Sequence, residues 1–220
     1  MADNNGEFSN CLTHFVDNGS VESHRYYLAR KTLFELLNDR GYAVPNSELT
    51  RSLPEFRAEF GQKPDPLSLR ICVPLRVDSS SKILVTFGGT EEIKKGNIFT
   101  IFSQVIHKEI LHRIILVLQS KMNHHARKVV DEYPVKTEIF QISDLLVNIT
   151  KHVLTPKHEK LTTQEKTCLL QKYQVKEHQL PRIQENDAIA RYHGHEKGQV
   201  MKVGYTAGLP SSLVTYRCVL

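Results

Sequence analysis

Two constellations in the 220-residue sequence combine residue types and spacing that could do chemistry. The first is Pro64-Asp65 followed by Glu92-Ile93-Lys94, which mimics the Pro-Asp…Glu-x-Lys pattern of magnesium nucleases. In that chemistry two acids hold a metal and the lysine assists the attacking water. It needs Glu and Lys on one face of a strand, where residues i and i+2 point the same way. Here Glu92 and Lys94 stand in a polar stretch, residues 90–96, ahead of a helix, so that geometry is expected to fail. The second constellation is Lys121-Met122-Asn123-His124-His125-Ala126-Arg127-Lys128. It follows a strongly apolar run at its carboxyl end, where α/β sheets commonly bind ligands, and it opens a helix. Exposed amides there, with Lys121, Arg127 and Lys128, could hold a phosphate. The competing reading is a solvated helix start. Few aromatics interleave with the charges and there is no Trp, so there is no stacking platform for single strands. Backbone contact to a duplex is the expected mode.

Other chemistries lack their residues. There is no G-x-x-x-x-G-K-[ST] and no G-x-G-x-x-G, and Gly88-Gly89 does not lead directly into a helix. The eleven histidines include His124-His125 and the pair His193 and His195, but no His-Glu-x-x-His and no cysteine partners. No Gly-x-Ser-x-Gly is present. Neither a metal nor a cofactor is expected. Cys11, Cys72, Cys168 and Cys218 lie far apart and read as reduced structural thiols. No run approaches the roughly 18 apolar residues of a membrane span, and the start lacks the pattern of a secretion signal, so an intracellular soluble protein without membrane contact is expected. The formal charge of +5 is unevenly placed: residues 1–24 carry −4, and residues 151–220 carry +5. A modest positive balance fits nucleic acid or an acidic protein without separating them.

The elements that must position these residues follow from periodicity. Residues 1–21 are polar, acidic and aperiodic and are expected to be a flexible extension. From Ser20 or Ser23 the residues Tyr26, Ala29, Leu33, Leu36 and Leu37 fall at helical spacing, with Gly41 placed for a left-handed cap. Ser52-Leu53-Pro54-Glu55 is a capping box for a second helix carrying Phe56 and Phe60. Residues 67–77 and 83–87 read as paired strands. Asn97 can cap a helix carrying Ile98, Ile101, Phe102, Val105 and Ile106. Ile114-Ile115-Leu116-Val117-Leu118 marks a strand covered on both faces. A helix over residues 123–133, stopped by Pro134, and a strand over 136–140 complete an α/β sandwich. A domain boundary falls at 150/151. Beyond it Thr162-Thr163-Gln164-Glu165 caps a helix with Leu169, Leu170 and Tyr173 on one face. Asp187 caps a short helix ending at Gly194, and residues 199–203 and 213–219 form a hairpin.

Those residues also carry a resemblance. Leu180-Pro181-Arg182-Ile183-Gln184, Asp187, Ala190-Arg191-Tyr192, Gly194, Lys197-Gly198-Gln199-Val200, Lys202 and Val214-Thr215-Tyr216-Arg217 resemble the carboxyl-terminal assembly domain of the fifth subunit of eukaryotic nuclear DNA-directed RNA polymerases, a domain that archaeal polymerase shares as a small subunit of its own. Arg30-Lys31-Thr32, Asp39-Arg40-Gly41-Tyr42, Leu53, Phe56, Phe60-Gly61 and residues 145–150 with His152 and Pro156 resemble the amino-terminal jaw domain of the eukaryotic form. The sequence departs from the family pattern at Tyr27, where a Trp is usual, at residues 123–126, where a Thr-Pro-Ser-Ala loop is usual, and at residues 187–194 and 203–209. These departures are most like the divergent plant version belonging to RNA polymerase V.

The resemblance implies a nuclear, non-catalytic subunit without an active site or cofactor, and not a stand-alone homo-oligomer. It implies an α/β fold: an N-terminal α/β sandwich jaw domain, residues 22–150, and a small C-terminal α+β assembly domain, residues 151–220. Docking on the largest subunit would involve Leu180, Pro181, Arg182, Ile183, Asp187, Arg191, Tyr192, Gly198, Gln199, Val200, Tyr216 and Arg217. Lys121, His124, His125, Arg127 and Lys128 would face downstream duplex DNA. The implied process is RNA-directed DNA methylation and gene silencing. A subunit shared with polymerases II and IV is the alternative.

Overall fold

The computed structural model describes residues 17, 19–103, 110–205 and 213–220, which fall into two compact units. One holds the chain up to residue 31 together with 45–146; the other holds 32–44 together with 147–220. Each contains a four-stranded mixed sheet, so the fold is mixed α/β in two parts.

In the first unit the strands β1 (Ile71–Pro74), β2 (Lys82–Phe87), β3 (Leu111–Leu118) and β4 (Lys136–Gln141) lie in that order. β1 runs antiparallel to β2, whereas β2, β3 and β4 are parallel, with Val85 opposite Ile115 and Leu116 opposite Ile139. Residues 114–118 of β3 are all buried, as a continuous apolar run in a central parallel strand requires. Helices α4 (Lys95–Ser103) and α5 (His124–Asp131) cover one face, where Ile98, Phe102, Ala126 and Val130 pack with Leu84, Ile114, Leu116 and Leu118. The Phe102 and Tyr133 rings stack at 3.9 Å. Helix α1 (Val21–Asp39) buries Tyr26, whose ring meets Phe87 edge-on at 5.9 Å. Two shorter helices follow, α2 (Asn46–Thr50) and α3 (Leu53–Phe60). The Ser52 capping box forms as expected, and Gly61 ends α3 with φ 76°.

Asp17, within the stretch expected to be a flexible extension, is held: its carboxylate pairs with the Arg57 guanidinium at 2.6 and 2.7 Å. That contact holds its pKa down at about 2. The Arg57 guanidinium lies over Gly19, where a Cβ would sit 2.1 Å from its Cζ and would require the arginine end to shift.

In the second unit the sheet order is β5 (Lys157–Lys160), β7 (Val200–Tyr205), β8 (Leu213–Val219), β6 (Arg182–Ile183). Only the β6–β8 pair is parallel. Helix α6 (Thr163–Tyr173) packs Leu169 against Val200 and Cys218, and α7 (Ala188–His193) packs Ala190 against Ile183, Met201 and Val219. The C-terminal end of α1 belongs to this unit. Arg40 donates from Nε to the Tyr192 carbonyl at 2.8 Å and from Nη2 to the Arg191 carbonyl at 2.6 Å, which also accepts from the Gly194 amide that ends α7. The Tyr192 hydroxyl donates to Asp39 Oδ2 at 2.8 Å and accepts from Asn148 Nδ2 at 3.1 Å. Burial, and the carboxylate beside it, push that phenol above its ordinary range. Asn148 also donates to Glu35 at 2.8 Å.

Several expectations are corrected. The helix assigned an Asn97 cap starts at Lys95 and has Asn97 inside it, because the Lys94 carbonyl accepts from the Asn97 and Ile98 amides. The expected strand over 67–77 is confined to Ile71–Pro74, with Val77 fully out in solvent. Tyr173 is exposed rather than on the packed face of α6. Strand β5, Lys-His-Glu-Lys, was not expected: it is a charged edge strand whose pairing, not its polarity, identifies it. Cys11, Val105, Ile106 and the loop residues Gly208 and Pro210 lie outside the described residues.

Two outcomes follow for stability. Tyr192→Phe removes a buried hydroxyl bonded to Asp39 and Asn148 and should lower unfolding free energy by about 1–2 kcal/mol in urea titrations. His193 and His195, stacked at 5.5 Å, are held by burial at about 4 against an ordinary value of 6.5. Below 6.5 the unfolded chain takes up protons that the folded chain refuses, so stability present above 6.5 is lost as pH falls toward 4. Urea midpoints across that window should therefore decline in the native chain and flatten in His193→Gln/His195→Gln.

Candidate nucleic-acid interface and assembly surface

The basic constellation sits at the carboxyl end of the parallel strands. β3 stops at Leu118; Gln119 then donates to the Tyr26 hydroxyl and Ser120 to the Glu91 carbonyl, fixing the turn. Asn123 caps α5, accepting from the His125 amide at 3.0 Å. Ala126 and Val130 are buried, and this anchors the helix with its other face in water. Lys121, His124, His125, Arg127 and Lys128 are all exposed, and the two histidine rings lie 6.0 Å apart edge to face. Among the described residues no carboxylate forms an ion pair with Lys121, Arg127 or Lys128. All five expected residues are thus open to solvent at and around the start of α5.

Sequence reasoning missed two neighbours of that surface. Ile93 forms a one-residue parallel bridge with Met122: its amide donates to the Lys121 carbonyl, and its carbonyl accepts from the Asn123 amide at 3.2 Å. The bridge brings exposed Lys94 and Lys95 beside the basic run. The available signal was one apolar residue, Ile93, within a polar stretch; it is buried.

The bridge also bears on the nuclease pattern. Glu92 and Lys94 flank the single bridged residue Ile93, in a stretch ahead of α4 that forms no strand, and both are exposed. Asp65 instead closes a turn, accepting from the Leu67 amide at 3.2 Å. Among the described residues no group of three His, Cys, Asp or Glu is arranged to hold a metal ion.

The residues expected at the assembly surface divide by burial. Ile183, Tyr192 and Val200 are buried inside their own unit, where they shape it rather than offer a surface. Pro181, Arg182 and Asp187 are exposed; Leu180, Arg191, Gly198, Gln199, Tyr216 and Arg217 are half-buried. The sheet ties many of them together. Pro181 accepts from the Cys218 amide at 2.8 Å, Gly198 donates to the Val219 carbonyl at 2.9 Å, and Arg217 stands opposite Met201. Gly198 has φ 81°, which favours glycine at the turn into β7. Asp187 caps α7, accepting from the Ile189 amide at 2.9 Å, so its carboxylate already has a local duty.

Comparison with known proteins agrees with both parts. Residues 20–105 match the family model described as RNA polymerase Rpb5, N-terminal domain, and residues 147–219 match RNA polymerase Rpb5, C-terminal domain. The chain is 49% identical over 212 residues to DNA-directed RNA polymerase V subunit 5C of Arabidopsis thaliana, covering 96% of this chain and 91% of that one. It is 48% identical over 206 residues to the Arabidopsis thaliana DNA-directed RNA polymerases IV and V subunit 5B, covering 94% of each. Against the Caenorhabditis elegans DNA-directed RNA polymerases I, II, and III subunit RPABC1 it is 35% identical over 207 residues, covering 91% of this chain and 98% of the other. With two family models spanning most of its length and relatives matched nearly end to end, the chain belongs to the Rpb5 family of RNA polymerase subunits.

Proposed function

We propose that this chain is a non-catalytic subunit of the nuclear RNA polymerase V, acting in RNA-directed DNA methylation and gene silencing. The observation that carries this reading is the gap between 49% identity to a polymerase V subunit and 35% to a subunit shared by polymerases I, II and III. The 48% identity to a subunit of polymerases IV and V favours, as a second reading, membership of both plant silencing polymerases.

In this assignment residues 151–220, packed with residues 32–44, dock on the largest subunit, and residues 22–150 form a jaw domain beside downstream duplex. Arg182 and Arg217 supply exposed or half-exposed charge for docking, and Tyr192 fixes the helix that carries Arg191. Lys121, Arg127 and Lys128, with His124 and His125 between them, meet phosphates without reading bases.

Tagged chain recovered from its own nuclei, with co-purifying proteins identified by mass spectrometry, tests the assignment. Recovery of the polymerase V largest subunit is expected; recovery of the polymerase IV largest subunit as well supports the second reading, and recovery of no largest subunit overturns both. Arg217→Ala should lower largest-subunit recovery severalfold at unchanged amount of the tagged chain. The triple variant Lys121→Ala/Arg127→Ala/Lys128→Ala should weaken duplex binding about equally for unrelated sequences. Each lost phosphate contact should flatten the slope of log Kd against log salt by about 1. An unchanged slope removes the DNA contact from the proposal.

A further inference from the structure

The loop between β2 and α4 is tied to the end of β3 and to the loop that follows it at three points. The Gly88 amide donates to the Val117 carbonyl at 2.7 Å, the Ser120 hydroxyl donates to the Glu91 carbonyl, and Ile93 pairs with Met122. Ile93 is buried among Leu84, Ile98 and Leu118, so the bridge is backed by apolar packing. Gly88 permits the close approach: a Cβ there would stand 3.0 Å from Ile93 Cδ1 and 3.2 Å from Leu118 Cδ2.

A parallel pair holds its two backbones about 4.8 Å apart. With Ile93 opposite Met122, the next residues in register are Lys94 beside Asn123, the cap of α5, and Lys95 then opens α4. Both side chains are exposed, and Lys95 lies 5.4 Å from the centre of the Phe99 ring. Five cations, Lys94, Lys95, Lys121, Arg127 and Lys128, therefore stand on two adjacent backbones whose spacing is fixed by hydrogen bonds. Exposed acids border them: Glu91 and Glu92 lie ahead of Lys94, and Asp131 and Glu132 end α5.

We propose that Lys94 and Lys95 form a second row of duplex-phosphate contacts, held in register with Lys121, Arg127 and Lys128 by the bridge between Ile93 and Met122. The inference rests on the reading of residues 121–128 as a phosphate contact and extends it to a second strand–helix loop. A duplex carries one charge per about 1.7 Å of axis, so cations on two rigid rows engage several phosphates at once whatever the sequence. Because the rows are fixed by backbone bonding, ordering them on binding costs less than it would in a free loop.

The test measures binding of the full chain to a fluorescent duplex as a function of salt, for native protein, Lys94→Gln/Lys95→Gln, Lys94→Arg/Lys95→Arg and the Lys121/Arg127/Lys128 alanine triple. The Gln pair should weaken low-salt binding and flatten the slope of log Kd by roughly 2, while the Arg pair keeps the native slope. A native slope in the Gln pair with a flattened slope in the triple overturns the second row and leaves the first intact. Native slopes in both, or no duplex binding by native protein, overturn the first row and the second with it. An Arg pair that behaves like the Gln pair shows a loss of local structure rather than of charge, and overturns the proposal. Displacement of duplex by polyglutamate at lower concentration than by unlabelled duplex does the same, because it assigns the rows to an acidic protein.

Discussion

The burial of β3 on both faces is the constraint from which the first unit follows. Residues 114–118 are five consecutive large aliphatics, and none can point to water without exposing apolar surface. Burying both faces requires layers on either side of the sheet, and a parallel neighbour on each edge requires crossovers that carry helices. Helices α4 and α5 are the two crossovers, β2 to β3 and β3 to β4, and together they cover one of the two faces. The loops entering α4 and α5 consequently leave the sheet at one end, and the cations are carried on those loops. Their clustering is a product of topology: Lys94 and the segment 121–128 are far apart in sequence but are brought side by side once β2 and β3 run the same way.

In the second unit the equivalent constraint is the end of α7. The last turn of this six-residue helix is closed by the Gly194 and His195 amides, and Arg40 adds side-chain donors to its Arg191 and Tyr192 carbonyls. Tyr192, Asp39, Asn148 and Glu35 continue the network, so this part of the fold depends on residues that lie far before it in the chain. Sequence distance hides such a dependence, since polar networks carry no periodicity.

What the sequence made legible follows the same division. Helix starts with a side-chain signature were readable: Ser52 with Glu55, Thr162 with Glu165, and Asp187 each make the cap their residue type implies. The core of α1 was readable because Tyr26, Ala29, Leu33, Leu36 and Leu37 repeat at helical spacing, and all five are buried. Elements defined by pairing were not. β5 reads as charged loop because its stability comes from bonding to β7, and Ile93 was lost because a one-residue bridge has no pattern of its own. For the same reason the basic run was found in residues 121–128 but not its continuation at Lys94 and Lys95. A candidate surface built from one contiguous segment is visible in sequence; the half supplied by a neighbouring loop is visible only once strand order is known.

The cap on α5 also decides which groups would do the binding. Asn123 takes the His125 amide for itself, occupying one of the donors a helix start would otherwise offer a phosphate. Affinity for an anion must then come from side-chain charge around the helix start more than from its backbone. Charge of that kind is indifferent to base sequence and tolerant of the identity of the intervening residues, provided the lysines and arginine keep their positions. A loop that departs from the family pattern at residues 123–126 can therefore retain phosphate contact, because Ala126 and Val130 still seat the helix and the cations still stand clear of it. Binding that neither reads bases nor depends on one loop sequence is what the proposed contact with an advancing duplex would require.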